Sequence, residues 1–153
     1  MSAVIPVSHL QTLKMSIYRF DPSEDEKPYM QEIVVEVPTD KDIMVLDALH
    51  LAKVKEPSLS YRRSCREGVC GSDGMNINGK NGLACITPLS EAVKRNKLTL
   101  RPMPGLPVVR DLIVDMKLFY DQLEKVQPYL ITKSENPEKG RLQSPKEREE
   151  LDG

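Results

Sequence analysis

From Lys14 to Phe20 the side chains alternate, with Met15, Ile17 and Arg19 on one face and Ser16, Tyr18 and Phe20 on the other. That is the two-residue period of a half-buried β-strand. A polar turn at Asp21–Pro28 leads into Gln31–Val37, whose β-branched residues stop at Pro38, so the two runs predict a β-hairpin. The period then changes: Val45, Leu46, Leu49 and Ala52 follow the 3.6-residue spacing of a helix, with Asp42 as the predicted cap and Pro57 as the stop. From Ser58 to Asn81 no period holds, and glycine, asparagine and basic residues dominate. Beyond it the pattern predicts a strand at Lys97–Arg101, a turn-rich Pro102–Pro107 and another strand at Val108–Val114. A helix capped by Asp115 and carrying Met116, Phe119, Tyr120 and Leu123 then ends before Pro128. The charged tail, Lys133 to Gly153, has little to bury, although Ser144-Pro145-Lys146-Glu147 has the form of a capping box opening a short helix.

Strands, one helix, a long irregular loop and a further strand is the element order of an α+β β-grasp, a sheet packed on one helix. The predicted organisation is an N-terminal tail over residues 1–12, a β-grasp domain over 13–114 and the start of an incomplete helical extension over 115–153. A structureless stretch as long as the Ser58–Asn81 loop is unusual inside a compact domain. A metal cluster removes the difficulty by serving as the core that the loop lacks.

Bulk properties narrow the class. The 153 residues suffice for one main domain with an extension. A net charge of −1 supplies no field for nucleic acid or an anionic membrane. No apolar run approaches the roughly 20 residues of a membrane span. Met1 to Lys14 lacks the basic start, apolar stretch and cleavage site of a signal peptide, so cytosolic synthesis is expected. In a reducing compartment the clustered cysteines read as metal ligands, and their odd number, three, leaves one thiol over in any disulfide scheme.

Those cysteines, with one aspartate, form Cys65-x4-Cys70-x2-Asp73-x11-Cys85. The first three positions have the spacing of plant-type 2Fe–2S ferredoxins, with a carboxylate where the third thiolate normally stands. Four terminal ligands are needed, two per iron. Gly68, Gly71 and Gly74 stand among them, where glycine lets backbone N–H groups turn toward sulfur. Arg62, Arg63, Arg66 and Lys80 are candidates to offset the negative charge, with Arg63 and Arg66 the better placed. Asp73 has two readings: an ordinary Ser-Asp-Gly turn residue, with the fourth ligand then water, Ser72 or absent, or a carboxylate ligand suited to Fe(III). Ser64 is a further alternative. Rival chemistry is thin. Gly74-x4-Gly79-Lys80 nearly matches a phosphate loop, but Asn81 replaces the metal-binding hydroxyl and no strand-to-helix context surrounds it. A Cys3Asp zinc site is chemically possible, although zinc sites favour short cysteine pairs. His9 and His50 read as surface or packing residues rather than as bases for a nucleophilic cysteine.

The run from Arg62 to Cys85 resembles the cluster loop of the succinate dehydrogenase iron–sulfur subunit, in particular bacterial members with Asp at the third ligand position. The resemblance continues through Leu100-Arg-Pro-Met-Pro-Gly-Leu-Pro-Val-Val-Arg-Asp-Leu-Ile-Val-Asp115 and covers roughly residues 12 to 153. It implies a 2Fe–2S ferredoxin-like domain in which Cys65, Cys70, Asp73 and Cys85 bind the cluster. It also implies an electron-transfer subunit of a succinate:quinone oxidoreductase, part of the respiratory chain and the tricarboxylic acid cycle, with no catalytic site in this chain alone. The implied partners are a flavoprotein (FAD) subunit and membrane-anchor subunits, and the implied location is peripheral, on the cytoplasmic face of a bacterial inner membrane. Family members continue into a helical domain holding 4Fe–4S and 3Fe–4S clusters, and this chain is expected to support neither of them. Fumarate reductase subunits share the architecture but generally carry Cys at the third position. A freestanding ferredoxin-like carrier is the other redox alternative, and a zinc-stabilised interaction module is the non-redox one.

Overall fold

The computed structural model describes residues 10–129, 131, 138 and 142–152. Two compact units divide the chain, Met1–Leu118 and Phe119–Gly153. In the first, β1 (Leu10–Arg19) and β2 (Tyr29–Pro38) form the expected antiparallel hairpin, in a register that sets Leu13 opposite Val35 and Met15 opposite Ile33. β1 begins four residues before the predicted start, and its inward positions Leu13, Met15, Ile17 and Arg19 are all buried.

After α1 (Val45–Lys55) come β3 (Gly74–Ile77), β4 (Lys80–Leu83), α2 (Leu89–Ala92) and β5 (Lys97–Arg101). The sheet has strand order β2-β1-β5-β3-β4 and is mixed, because β1 and β5 run parallel while the other pairs are antiparallel. Pairing aligns Met15 with Leu98 and Ile17 with Leu100, and Leu100 in turn with Ile77. Apolar rows therefore cross the sheet, and α1 adds Val45, Leu46, Leu49 and Ala52 to the same core. Each valine, leucine, isoleucine or methionine among them contributes about 1.5–3 kcal/mol when fully buried. This is the α+β, β-grasp arrangement that the periodicity predicts.

Several local expectations are corrected. Asp42 does not cap α1; the Asp47 carboxylate accepts the Met44 N–H at 3.0 Å, and Asp42 accepts the Ser90 N–H at 3.1 Å instead. The aperiodic stretch contains the β3–β4 hairpin, turned by Asn78 at φ 48° and Gly79 at φ 89°. The near phosphate loop is that hairpin, and Gly79-Lys80 leads into β4 where a phosphate loop would open a helix. Val108–Val114 is not one strand: Asp111, at φ 48°, splits it into β6 (Val108–Arg110) and β7 (Ile113–Val114), which pair with each other.

α3 (Lys117–Val126) begins after Asp115, whose carboxylate accepts the Lys117 N–H at 2.8 Å. In the second unit α4 (Pro145–Asp152) opens with the expected capping box. Ser144 N–H donates to Glu147 Oε2 at 2.8 Å, and Glu147 N–H donates back to Ser144 Oγ at 3.3 Å. Among the described residues no helix is long and apolar enough to cross a membrane.

Candidate metal centre

The cysteine loop leaves the core at Leu59, which is fully buried, and is anchored at once. Ser60 N–H donates to Asp111 Oδ2 at 2.8 Å, Leu112 N–H donates to Ser60 O at 3.3 Å, and Arg62 donates to Val114 O at 2.8 Å. Behind that anchor lies a buried ionic network that reading the sequence missed. Arg19 Nε donates to Asp111 Oδ1 at 2.9 Å, its NH2 group donates to Ser58 Oγ at 2.6 Å, and NH1 donates to Gln31 Oε1. The available signal was Arg19 itself, a cation at an inward position of an alternating strand. Such a residue needs a partner, because an unpaired charge in the core is costly.

Within the loop, Arg66, Gly68 and Gly71 all have positive φ, at 65°, 78° and 68°. Gly68 is also tightly enclosed: a Cβ there would stand 3.0 Å from Ile86 Cγ2. Gly74 is enclosed too, its Cβ direction meeting Gly71 O at 3.2 Å. The loop therefore cannot accept larger residues at these two positions without displacement.

Cys85 is held from the other side. Val45 and Leu46, whose N–H groups open α1 and lack intrahelical acceptors, donate to Thr87 O at 3.0 Å and Ala84 O at 2.9 Å. The first turn of the helix thus grips the backbone on both sides of Cys85. Asp73, only 3 % exposed, accepts the Cys85 N–H on Oδ2 at 2.5 Å, and its own carbonyl accepts the Ala84 N–H at 3.3 Å.

The candidate residues stand as two adjoining pairs. Cys65 Sγ accepts the Cys70 N–H at 3.3 Å, forming an outer pair in which Cys70 is exposed. Asp73 and Cys85 form the inner, buried pair. Their proton affinities divide in the same way. Hydrogen bonding, led by the Ser72 hydroxyl, pulls the Cys70 thiol down to about 6. Burial pushes the Cys85 thiol up, the adjacent Asp73 carboxylate raises it further, and a hydrogen bond from the Gly68 backbone opposes the rise.

Three thiols and a carboxylate supply four anions, the number of terminal ligands that a 2Fe–2S cluster takes, with one donor harder than the rest. Among the described residues no three metal-binding side chains converge on a single ion. Two adjoining pairs match a two-iron demand better than the single tetrahedral point of a zinc site.

Arg63 and Arg66 both lie close enough to Tyr61 to counter the upward push that burial gives its phenol. Arg62 is committed to Val114 O. Lys80 lies on β4 and lines a groove with Glu91 and Lys94. Ser72 contacts Cys70, with Oγ 3.2 Å from Sγ. His50 is exposed on α1, and His9 lies outside the described residues.

Fold and loop together define a 2Fe–2S ferredoxin-like domain. Residues 14–121 match the family model described as 2Fe-2S iron-sulfur cluster binding domain, and the chain belongs to that family. Its cofactor is accordingly a 2Fe–2S cluster. The chain is 54 % identical over 141 residues to the "Succinate dehydrogenase iron-sulfur subunit" of Coxiella burnetii, covering 92 % of this chain and 59 % of that protein. To the subunit of the same name from Paracoccus denitrificans it is 46 % identical over 142 residues, covering 92 % and 53 %. It thus spans between about half and three-fifths of the length of these relatives. Among solved structures, a chain of the "Mycobacterium smegmatis Sdh1 complex in the apo form" superposes with a TM-score of 0.72 at 28 % identity, over 88 % of this chain and 54 % of that one.

Proposed function

We propose that this chain is the 2Fe–2S portion of the iron–sulfur subunit of a succinate:quinone oxidoreductase, with Cys65, Cys70, Asp73 and Cys85 as the cluster ligands. The observation that carries the ligand set is the burial of the Asp73 carboxylate against the Cys85 N–H at 2.5 Å, at the third ligand position of the spacing. An aspartate serving only a surface turn has no reason to leave water for a cysteine-lined site. When bound, the cluster supplies one-electron transfer. The protein's residues hold it and set its charge balance: three anionic donors from the loop before β3 and one from the segment after β4, the Gly68 backbone hydrogen bond to Cys85, and Arg63 and Arg66 beside Tyr61.

The proposed electron donor is a flavoprotein subunit, whose flavin performs the two-electron oxidation of succinate, so no succinate site is expected here. Membrane-anchor subunits complete the proposed assembly, which gives this chain a peripheral place at the cytoplasmic face of a bacterial inner membrane. Anaerobic purification followed by visible and EPR spectra, before and after dithionite, tests the cofactor-holding role. A coloured chain with an EPR signal on reduction is expected, and a colourless, EPR-silent chain contradicts it. Co-purification with a flavin-containing chain is expected for the subunit; its absence favours a freestanding carrier.

A further inference from the structure

Ser72 stands between two proposed ligands and is not needed as one. Its side chain is half-buried, and its Oγ lies 3.2 Å from Cys70 Sγ, within hydrogen-bond reach of sulfur. The turn at Gly71, at φ 68°, folds the backbone so that the hydroxyl of residue 72 faces back toward the thiol of residue 70. In the metal-free chain either atom can supply the shared proton. A cysteine sulfur bonded to iron has lost its proton, so the hydroxyl is then the sole possible donor of the pair.

We propose that Ser72 is a potential-setting residue, its hydroxyl donating a hydrogen bond to Cys70 Sγ and thereby favouring the reduced over the oxidised site. The inference rests on the reading of Cys70 as a cluster ligand. One-electron reduction adds a negative charge that the ligating sulfurs share. A donor fixed on one of those sulfurs interacts more strongly with the more negative state, so it raises the reduction potential. Backbone donors act in the same sense, among them Cys70 N–H on Cys65 Sγ at 3.3 Å. Ser72 differs because its donor lies on the side chain, so a substitution removes that donor and leaves the backbone donors in place. It is a positioning residue for charge, not a participant in bond making.

The test uses the full chain holding its cluster, with Ser72→Ala and Ser72→Thr compared to the parent by iron and sulfide analysis, EPR-monitored redox titration and resonance Raman spectra in H2O and D2O. Ser72→Ala is expected to keep its iron and sulfide while its midpoint becomes more negative, lowering the reduced-to-oxidised ratio at fixed poise by about three- to tenfold. Its terminal Fe–S stretching band is expected to show a smaller deuterium shift than the parent's, the remainder coming from backbone N–H donors. Ser72→Thr, which restores a hydroxyl, is expected to return both properties toward the parent. An unchanged midpoint in Ser72→Ala, with the cluster present in both chains, overturns this inference and leaves the ligand assignment standing. Loss of the cluster from Ser72→Ala also overturns it, since Ser72 would then be a ligand or a structural support. A parent chain that holds no cluster overturns the ligand assignment and this inference together.

Discussion

Arg19 Nε, at the end of β1, donates to Asp111 Oδ1 at 2.9 Å across 92 residues of sequence, and both side chains are buried. The same Asp111 accepts the backbone N–H groups of Phe20 at 3.0 Å and Ser60 at 2.8 Å. One carboxylate therefore joins the first strand, the β6–β7 hairpin and the start of the cysteine loop. Asp111→Ala takes from Arg19 the nearer and fully buried of its two carboxylate partners, leaving only the partly exposed Glu56 at 4.0 Å; losing one partner of a buried pair costs about 3–5 kcal/mol. Urea unfolding is expected to show a loss of that order in Asp111→Ala and a smaller one in Asp111→Asn, which retains an acceptor. Faster cluster loss should accompany both, read from the decay of visible absorbance.

Two glycines of the loop separate crowding from backbone conformation. Gly68 has φ 78° and its Cβ direction is blocked by Ile86 at 3.0 Å, whereas Gly71 has φ 68° and open space. Gly71→Ala should cost about 1–2 kcal/mol, the penalty of a left-handed L-residue. Gly68→Ala carries the same penalty plus displacement of Ile86, so its loss in the same unfolding measurement should be the larger. Equal losses would mean that Ile86 gives way freely.

The thiols of the metal-free chain should react in a defined order. Cys70 is exposed and its thiol is lowered to about 6, whereas Cys85 is buried and its thiol is raised. The thiolate is the nucleophile, so at neutral pH Cys70 is largely in the reactive form and Cys85 is not. Iodoacetamide labelling followed by peptide mass analysis should find Cys70 modified well before Cys85. Lowering the pH from about 7 to about 5 moves through the Cys70 value and should slow its labelling several-fold.

The β3–β4 hairpin turn gives a test against phosphate binding. Asn78 accepts the Thr99 N–H at 2.7 Å and donates to Ala92 O at 2.5 Å while adopting φ 48°. Asn78→Ala leaves both backbone groups short of a partner and should cost about 1–3 kcal/mol in urea unfolding. Neither the parent nor the variant should bind ATP in an equilibrium assay.

Regular elements were readable where burial imposes a period. Met15 and Ile17 against Ser16 and Tyr18 reveal β1, and Val45, Leu46, Leu49 and Ala52 reveal α1, because each face meets one core. β3 and β4 were hidden because each has only four residues and shares its run with Gly74, Asn76, Asn81 and Gly82. The division of Val108–Val114 was hidden because it depends on Asp111 at φ 48°, a conformation imposed by tertiary bonds to Phe20 and Ser60. At the candidate centre, spacing singles out Cys65, Cys70, Asp73 and Cys85. It does not reveal the grip of α1 on Cys85 or the burial of Asp73, since both arise from contacts between segments distant in sequence. Arg19 could be placed on the inward face, but its partner 92 residues away could not be named.

The most direct measurement is iron, sulfide and EPR analysis of the purified chain alongside Asp73→Cys and Cys65→Ala. The parent should hold about two irons and two sulfides and show an EPR signal on reduction. Asp73→Cys should keep the cluster with an altered spectrum, and Cys65→Ala should lose it with much of the loop's order, since loop folding and metal binding are coupled. Full cluster occupancy in Cys65→Ala, or an Asp73→Cys spectrum identical to the parent's, would contradict the assignment of three thiolates and one carboxylate as the ligands.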